Sequence, residues 1–521
     1  REAIEASVKA GSMLWVVCTS SLDLGVDFQP VEQVVQIGSP KNLARLLQRA
    51  GRSAHLPGGT SKVLFMPTNA LELLELSAVR RGLENGLVEE RRPPKAPLDV
   101  LLQHLTTLAC GPGFKPASTL DAIRNTASYR QLSESDWQWC LRFLEQGGDC
   151  LGAYPRYRKL EATDDGRFVI RENAIARLHR FNIGTITSAP SIRVRFVRGS
   201  VLGHVEENFI SQLKPKDVFF FAGRQLEFVR LREMTAYVKS TTKKSTAVPA
   251  WAGGQMSLSD LLTHHLREEV ARAGRGELDT PELKALEPLF ERQMDLSTLP
   301  GSEQLLIETC RTREGMHLYA YPFEGRFVHE GLGFLWATRL TRVQRGTITV
   351  SVNDYGFELL APRGYPMDQL LEDHLDELLD DTTLEEDLEQ ALNLSELCRR
   401  RFRSIAQVAG LLVQGFPGQN KSTGQLQISG SLLWEVFSKH EPNNLLLRQA
   451  RDEVLQEQLE LPRLRSALQR IRKGDTLHCP TPRPGPLAFP LLVERLNNRM
   501  TNESVQERVE RMMREALKQE Q

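Results

Sequence analysis

The sequence predicts a multidomain chain that joins α/β and α+β modules, and three observations carry the prediction. Short apolar, β-branched runs near the start flank an amphipathic helix, the pattern of a parallel sheet covered on both faces. From residue 174 the texture changes to closely spaced alternating strands, and from residue 366 it turns helical with segregated charge. At 521 residues the chain is several ordinary domains long.

In the first module, residues 1–90, Leu14–Cys18, Gln33–Ile37 and Ser61–Met66 read as strands, with Ser20–Asp27 as a crossover. Between the last two, Leu43, Leu46, Leu47 and Ala50 recur at helical spacing as an apolar stripe, and Arg45, Gln48, Arg49 and Arg52 follow the same spacing on the other side. From Gln33 to Leu71 there are five Lys or Arg and no Asp or Glu, so no neighbour in sequence pairs with that row. Guanidinium groups in this setting call for an anion, and their planar fork suits phosphate. Thr19 and Ser20 follow the carboxyl end of one strand and Gly38 to Pro40 that of the next, where ligands sit in such sheets. Helical spacing over residues 68–90 closes the module.

Bulk properties exclude several classes. The 66 basic and 66 acidic residues cancel, so attraction for nucleic acid must come from local patches. Seven scattered cysteines without a C-x-x-C pair argue against a cysteine zinc site or a disulfide framework and for a reduced, cytoplasmic protein. No apolar run reaches the roughly 20 residues that span a bilayer, and no signal peptide is recognisable. The chain begins with Arg1 inside an expected helix, which reads as the C-terminal part of a longer protein. Neither a G-x-x-x-x-G-K-[ST] loop nor a DExH box occurs; the near miss at Gly415–Ser422 has the wrong glycine spacing and reads as a turn.

After the break at Arg91–Lys95, helices over Leu98–Ala109, Ser118–Thr126 and Ser133–Gln146 precede a hairpin, Tyr157–Leu160 and Arg167–Ile170. Three helices and a hairpin make a winged helix over 91–173, with Trp137, Trp139 and Phe143 in its core and either a packing or a DNA-facing role. Residues 174–255 hold 13 Lys or Arg against 5 Asp or Glu. Alternation puts Ile192, Val194 and Phe196 on one side and Arg193 and Arg195 on the other, and sends Arg230 and Arg232 the same way, so a small β-barrel with a basic face toward a phosphate backbone is expected. Trp251 stands in a Pro-Gly-rich loop, tucked against the barrel or free to stack on a base.

A mixed α/β module over 256–365 contains His317, His329, Glu330, Asp354 and Glu358, whose spacing matches no metal or hydrolytic pattern, so structural roles and no metal are expected. In the helical region 366–521, Asp368 to Glu396 carries 12 acidic residues and no Lys or Arg. Such a run is a solvated helical face, or, alternatively, presses on the basic barrel.

CTSSLDLGVDF (Cys18–Phe28) and QRAGRSAH (Gln48–His55) resemble motifs V and VI of superfamily 2 helicases, in which a second RecA-like lobe supplies arginines to ATP bound on the first. SPKNLARLLQRAGRSAH, YPFEGRFVHEGL, VNDYGFELL and NLLLRQARDEVL extend the resemblance over nearly the whole chain to the large helicase-related (Lhr) family, specifically its bacterial ligase-associated branch. The resemblance implies a partial second RecA-like lobe at 1–90. It assigns Arg49, Arg52 and Gln48 to the ATP phosphates, Gly25 and Asp27 to the nucleotide or coupling elements, Thr19 and Ser20 to a strand phosphate, and Trp251 to a wedge in the loading strand. It further implies ATP and Mg2+ bound mainly by the first lobe, and 3′-to-5′ movement on single-stranded DNA. Unwinding of DNA:DNA or RNA:DNA duplexes with a 3′ tail, and a bacterial nucleoid repair setting beside a ligase and nuclease, also follow. The chain by itself is not expected to hydrolyse ATP. Ala54 stands where the family usually has glycine and His55 where many relatives have arginine, so His55 is not assigned to phosphate. The rival reading is a non-motor DNA-binding or base-processing module that uses the barrel, the winged helix and Asp354 or Glu358.

Overall fold

In the computed structural model the described residues are 6–8, 10–18, 31–53, 58–90, 93–187, 191–197, 199, 201–206, 210, 213, 215–221, 224–232, 235–242, 256–391, 394–413 and 423–497. The chain forms two compact units, residues 1–91, 255–392 and 459–499 in one and 92–254, 393–458 and 500–521 in the other.

The first unit begins with β1 (Val34–Ile37), α1 (Leu43–Ala50), β2 (Val63–Met66) and α2 (Leu71–Glu84). β1 and β2 pair in parallel from Val34 opposite Val63 to Ile37 opposite Met66, the arrangement the apolar runs predict. Leu14–Cys18 does not form the expected strand. Leu14 is 93% and Val17 96% exposed, because among the described residues no strand ladder takes up this run.

In the second unit, α3 (Leu98–Ala109), α4 (Pro116–Arg124) and α5 (Glu134–Gln146) precede the two-residue strands β3 (Glu161–Ala162) and β4 (Phe168–Val169). Ser133 caps α5, its hydroxyl accepting from the Asp136 amide at 3.0 Å. The hairpin's first strand therefore begins four residues later than expected, since Tyr157 closes a 3₁₀ turn and buries its ring in the core. Trp137 and Phe143 are buried, and Trp139 lies at the rim, stacked on Phe143 at 4.7 Å. α6 (Asn173–Asn182) leads to β5 (Ser191–Phe196), β6 (Val201–Glu206), β7 (Val218–Phe221), β8 (Arg224–Arg232) and β9 (Thr235–Ser240). Their order is β6-β5-β9-β8-β7. The expected barrel is corrected to an open sheet, because β6 and β7 remain edges among the described residues.

The first unit resumes with α7 (Asp260–Gly274), β10 (Leu305–Arg311), β11 (Met316–Tyr321), α8 (Arg326–Val343), β12 (Thr349–Val352) and β13 (Phe357–Ala361). α8 is buried along most of its length, and Trp336 meets Phe357 edge-on at 5.4 Å. A Cβ on Gly333 would lie 2.6 Å from Val350 Cγ1, so glycine is what lets the helix lie this close to β12.

The region 366–521 is not one helical body. α9 (Met367–Leu378) and α10 (Leu384–Ala391) stay with the first unit, whereas α11 (Leu394–Val408), α12 (Thr423–His440) and α13 (Leu445–Glu453) join the winged-helix core. The chain then returns to the first unit through α14 (Leu461–Lys473), β14 (Thr476–Pro480) and α15 (Phe489–Asn497). β14 adds to the sheet in parallel beside β10, giving the order β12-β13-β11-β10-β14. The physical cause of the division is apolar: Phe402 is fully buried against Trp434 and Phe437 in the core that includes Trp137. Among the described residues no helix is long and apolar enough to cross a membrane.

Candidate functional site

α1 forms where it does because its N-terminal amides are all provided for. Asn42 is the cap, its Oδ1 accepting from the Arg45 amide at 2.7 Å, and the Glu89 carboxylate accepts from the Leu43 and Ala44 amides at 2.8 Å each. Glu89 also brings negative charge to the positive end of a helix whose own first turn has none. Leu43 and Leu46 bury the apolar stripe, while Leu47 is 40% exposed. A Cβ at Gly82 of α2 would fall 2.5 Å from Leu43 Cδ2, so that glycine admits the helix onto its neighbour.

This seating turns the polar side of α1 outward. Arg45 and Arg49 are half-buried and Gln48 is exposed. Arg49 Nη1 donates to Gln36 Oε1 at 2.6 Å, and the Gln36 amide is itself held by the carbonyls of Ile37 and Gly38 at 3.2 and 2.9 Å. The helix ends at Ala50, so Arg52 stands in the following turn rather than in the helix. Its backbone is fixed by Ser53, whose hydroxyl donates to the Ala50 carbonyl at 2.8 Å and accepts from the Lys62 amide at 2.9 Å. Gln48, Arg49 and Arg52 therefore leave one short, braced segment that can oppose several oxygens of a polyanion.

Lys41, which precedes this row, has an acid partner contributed from far along the chain: its Nζ lies 2.6 Å from Asp354 Oδ2. The spacing argument missed this pair, as it missed Gln36 and Glu89, because each acts over a sequence separation that local periodicity does not encode. Glu75 lies nearby, fully buried, and accepts from the Tyr355 hydroxyl at 2.6 Å. Burial pushes its carboxyl up to about 7, against the opposing charge of Lys41.

The second candidate surface belongs to the other unit. Along β5, Arg193 and Arg195 are exposed while Ile192 and Val194 are buried. Strand register sets Arg195 beside Tyr237 and Tyr237 beside Arg230, with Arg193, Thr235 and Arg232 in the adjacent row. The Arg230 guanidinium lies over the Tyr237 ring, 5.3 Å from its centroid, and Arg195 Nε donates to the Gly199 carbonyl at 3.1 Å. The alternation read from sequence thus gives one basic face; Tyr237 within it was not foreseen. Thr19, Ser20, Gly25, Asp27, Ala54, His55 and Trp251, and the near miss at 415–422, lie outside the described residues.

His317, His329, Asp354 and Glu358 of the mixed α/β region are internally engaged. His329 Nδ1 bonds the Asn353 carbonyl at 2.7 Å and its Nε2 accepts from the Glu324 amide at 2.9 Å; burial lowers its pKa to about 4. Glu358, fully buried, contacts His317 Nδ1 at 2.7 Å and Arg495 Nε at 3.0 Å. Among the described residues no three His, Cys, Asp or Glu side chains converge as a metal-holding group. Asp354 and Glu358, the carboxylates that the base-processing alternative would use, each lie against a cationic partner. Most of the acidic run is a solvated face, with Glu372, Asp373, Asp376, Glu377, Glu386 and Glu389 exposed, while Arg339 and Arg342 of α8 hold Asp387, and Arg465 and Arg472 of α14 reach Glu385 and Asp380.

Three family models match the chain: a helicase conserved C-terminal domain over residues 1–56, the winged helix domain of the large helicase-related protein over 81–248, and a DEAD/H associated region over 299–488. Among similar proteins, the ATP-dependent helicase Lhr-Core protein 2 of Thermococcus barophilus is 28% identical over 91% of this chain and 56% of its own length. Lhr-Core of Methanocaldococcus jannaschii is 26% identical over 95% of this chain and 58% of its own. The Lhr helicase/uracil glycosylase of Escherichia coli is 26% identical over 94% of this chain and 33% of its own length. The chain thus spans little more than half of the archaeal relatives. The solved structure of Mycobacterium smegmatis helicase Lhr bound to ssDNA and AMP-PNP shares the fold, with a TM-score of 0.68 at 22% identity over 94% of this chain and 60% of that one. The helicase C-terminal, winged-helix and DEAD/H-associated matches follow one another along the chain, which is similar over nearly its whole length to proteins of the large helicase-related (Lhr) family.

Proposed function

We propose that this chain is the part of an ATP-dependent DNA translocase that supplies arginines to the nucleotide and a track for the strand. The observation that carries the reading is the braced arginine segment. It follows a parallel strand, presents Arg49 and Arg52 with Gln48, and lies in the stretch matched by the helicase C-terminal model. Arginines at this position would stabilise charge on the transferring phosphoryl group, and in phosphate-hydrolysing enzymes such a group is worth about 10³–10⁵ in rate. The donor set here fits a triphosphate but not Mg2+, since α1 carries no carboxylate. In this reading the metal and most of the nucleotide belong to a first RecA-like lobe, Gly25 and Asp27 complete the nucleotide side, and the chain alone does not hydrolyse ATP.

Single-stranded DNA is the partner we assign to the basic sheet face, with Arg193 and Arg195 on phosphates and Trp251, Thr19 and Ser20 completing the track. The names of the archaeal relatives and the bound ssDNA and AMP-PNP of the mycobacterial structure support this assignment. Polarity of 3′ to 5′, action on DNA:DNA or RNA:DNA duplexes, and a bacterial repair role beside a ligase and nuclease rest on the motif strings. The test is unwinding by protein containing both lobes. Duplexes with a 3′ tail should open in the presence of ATP and those with a 5′ tail should not, and Arg52→Ala should abolish the reaction. Equal opening of both tails, or none of either, removes the assignment.

A further inference from the structure

Asp354 sits at a junction of three segments. Its Oδ2 pairs with Lys41 Nζ at 2.6 Å, and its Oδ1 accepts from the Leu258 and Arg326 amides at 3.1 Å each, the latter at the first residue of α8. Burial alone would raise this carboxyl, yet the charge and hydrogen bond of Lys41 and the two amides hold it below the ordinary carboxylate range. The pair is partly buried, with side-chain exposure of 29% for Lys41 and 10% for Asp354.

Lys41 occupies a backbone conformation that its side chain disfavours, with φ at +69°. Two bonds keep it there: the Asp354 pair at one end and, at the other, the Lys41 carbonyl accepting from the Ser259 amide at 2.9 Å. Asn42, the next residue, is the cap from which α1 starts. The direction of the arginine helix is thus set at Lys41, and the group that pins Lys41 belongs to the DEAD/H-associated region.

We infer that Asp354 is a positioning residue for phosphoryl transfer, acting through Lys41 on the reach of Arg49 and Arg52. The inference rests on the motor reading. Its size follows from helix geometry: at 1.5 Å rise per residue, a tilt of about 10° at Asn42 displaces the far end of α1 by roughly 2 Å. Misplacement of about 1 Å at a reacting centre can cost about 10²-fold in rate. The carboxylate is thereby given a role in turnover although it touches no substrate.

The experiment compares Asp354→Asn, Lys41→Ala, the double variant and Arg52→Ala in protein containing both lobes, by DNA-stimulated ATP turnover, KM for ATP and DNA affinity. Asp354→Asn keeps the size and the amide-accepting oxygen but removes the charge. We expect kcat about 10- to 100-fold lower for each of the first two, with KM for ATP and DNA affinity within about two-fold. The double variant should be no worse than either single one, because both break the same link. If Asp354→Asn fails to fold, Lys41→Ala decides. Wild-type kcat for Lys41→Ala, or multiplicative losses in the double variant, overturn the inference. A wild-type rate for Arg52→Ala would instead remove the motor reading beneath it, so the two failures are distinguishable.

Discussion

Removing the Glu89 carboxylate should loosen the arginine helix from its N-terminal end. Its two oxygens take the Leu43 and Ala44 amides at 2.8 Å and the Ser259 hydroxyl at 2.7 Å, so Glu89→Ala strips two helix amides of a charged acceptor and cuts a tie to the residues before α7. Hydrogen bonds to charged groups are worth about 1.5–3 kcal/mol each, and loss of a helix cap about 0.5–2 kcal/mol. Because water can replace part of the loss at this half-buried site, the local cost is set at about 2–4 kcal/mol. At 1.36 kcal/mol per decade this is about a 30- to 1,000-fold faster opening of the first turn. Amide hydrogen exchange measures it residue by residue: Leu43, Ala44 and Arg45 should accelerate by that factor, while β10 in the same unit stays unchanged. Exchange at Leu43 and Ala44 indistinguishable from the parent protein would refute the capping role and weaken the claim that α1 is held rigid.

Two further outcomes follow from buried groups. Because the folded state holds the Glu75 proton to about 7 against an ordinary value of 4.5, it binds more protons than the unfolded chain between those pH values. Stability therefore falls as pH rises through that window, by about 3 kcal/mol at most, and Glu75→Gln should remove this slope when urea midpoints at pH 5 and pH 8 are compared; parallel pH profiles for the two proteins would contradict it. Phe402→Ala removes a fully buried ring that packs on Trp434 and Phe437, and should cost about 3–5 kcal/mol in the second unit. Unaltered resistance of 393–458 to limited proteolysis would contradict the packing described for that segment.

What the sequence disclosed was local. The spacing of Leu43 and Leu46 marked the buried side of α1 and so the side left to Arg45, Arg49 and Gln48, and strict alternation in β5 placed Arg193 and Arg195 on one face before any register was known. A period of 3.6 or 2 carries that information in a few residues. Leu14–Cys18 shows the limit of such reasoning, since a short apolar run has strand composition whether or not a partner accepts it. β14 was invisible for the complementary reason: its partner β10 lies more than a hundred residues earlier, and pairing across that distance leaves no periodic trace. The same holds for Lys41 with Asp354 and for Glu89 with the start of α1. The acidic run is a solvated face as its composition suggests, except at Asp387, which is buried against arginines of α8 that only the tertiary fold brings to it. The candidate site was therefore legible as a list of cations, and illegible as a braced structure.

The central claim is that the segment ending at Arg52 faces the phosphates of ATP. The most direct measurement is the DNA-stimulated ATP turnover of Arg52→Ala at saturating ATP and DNA, in protein containing both lobes. The account predicts a loss of about 10³-fold or more, with the fold and DNA affinity retained; turnover at the parent rate would contradict it.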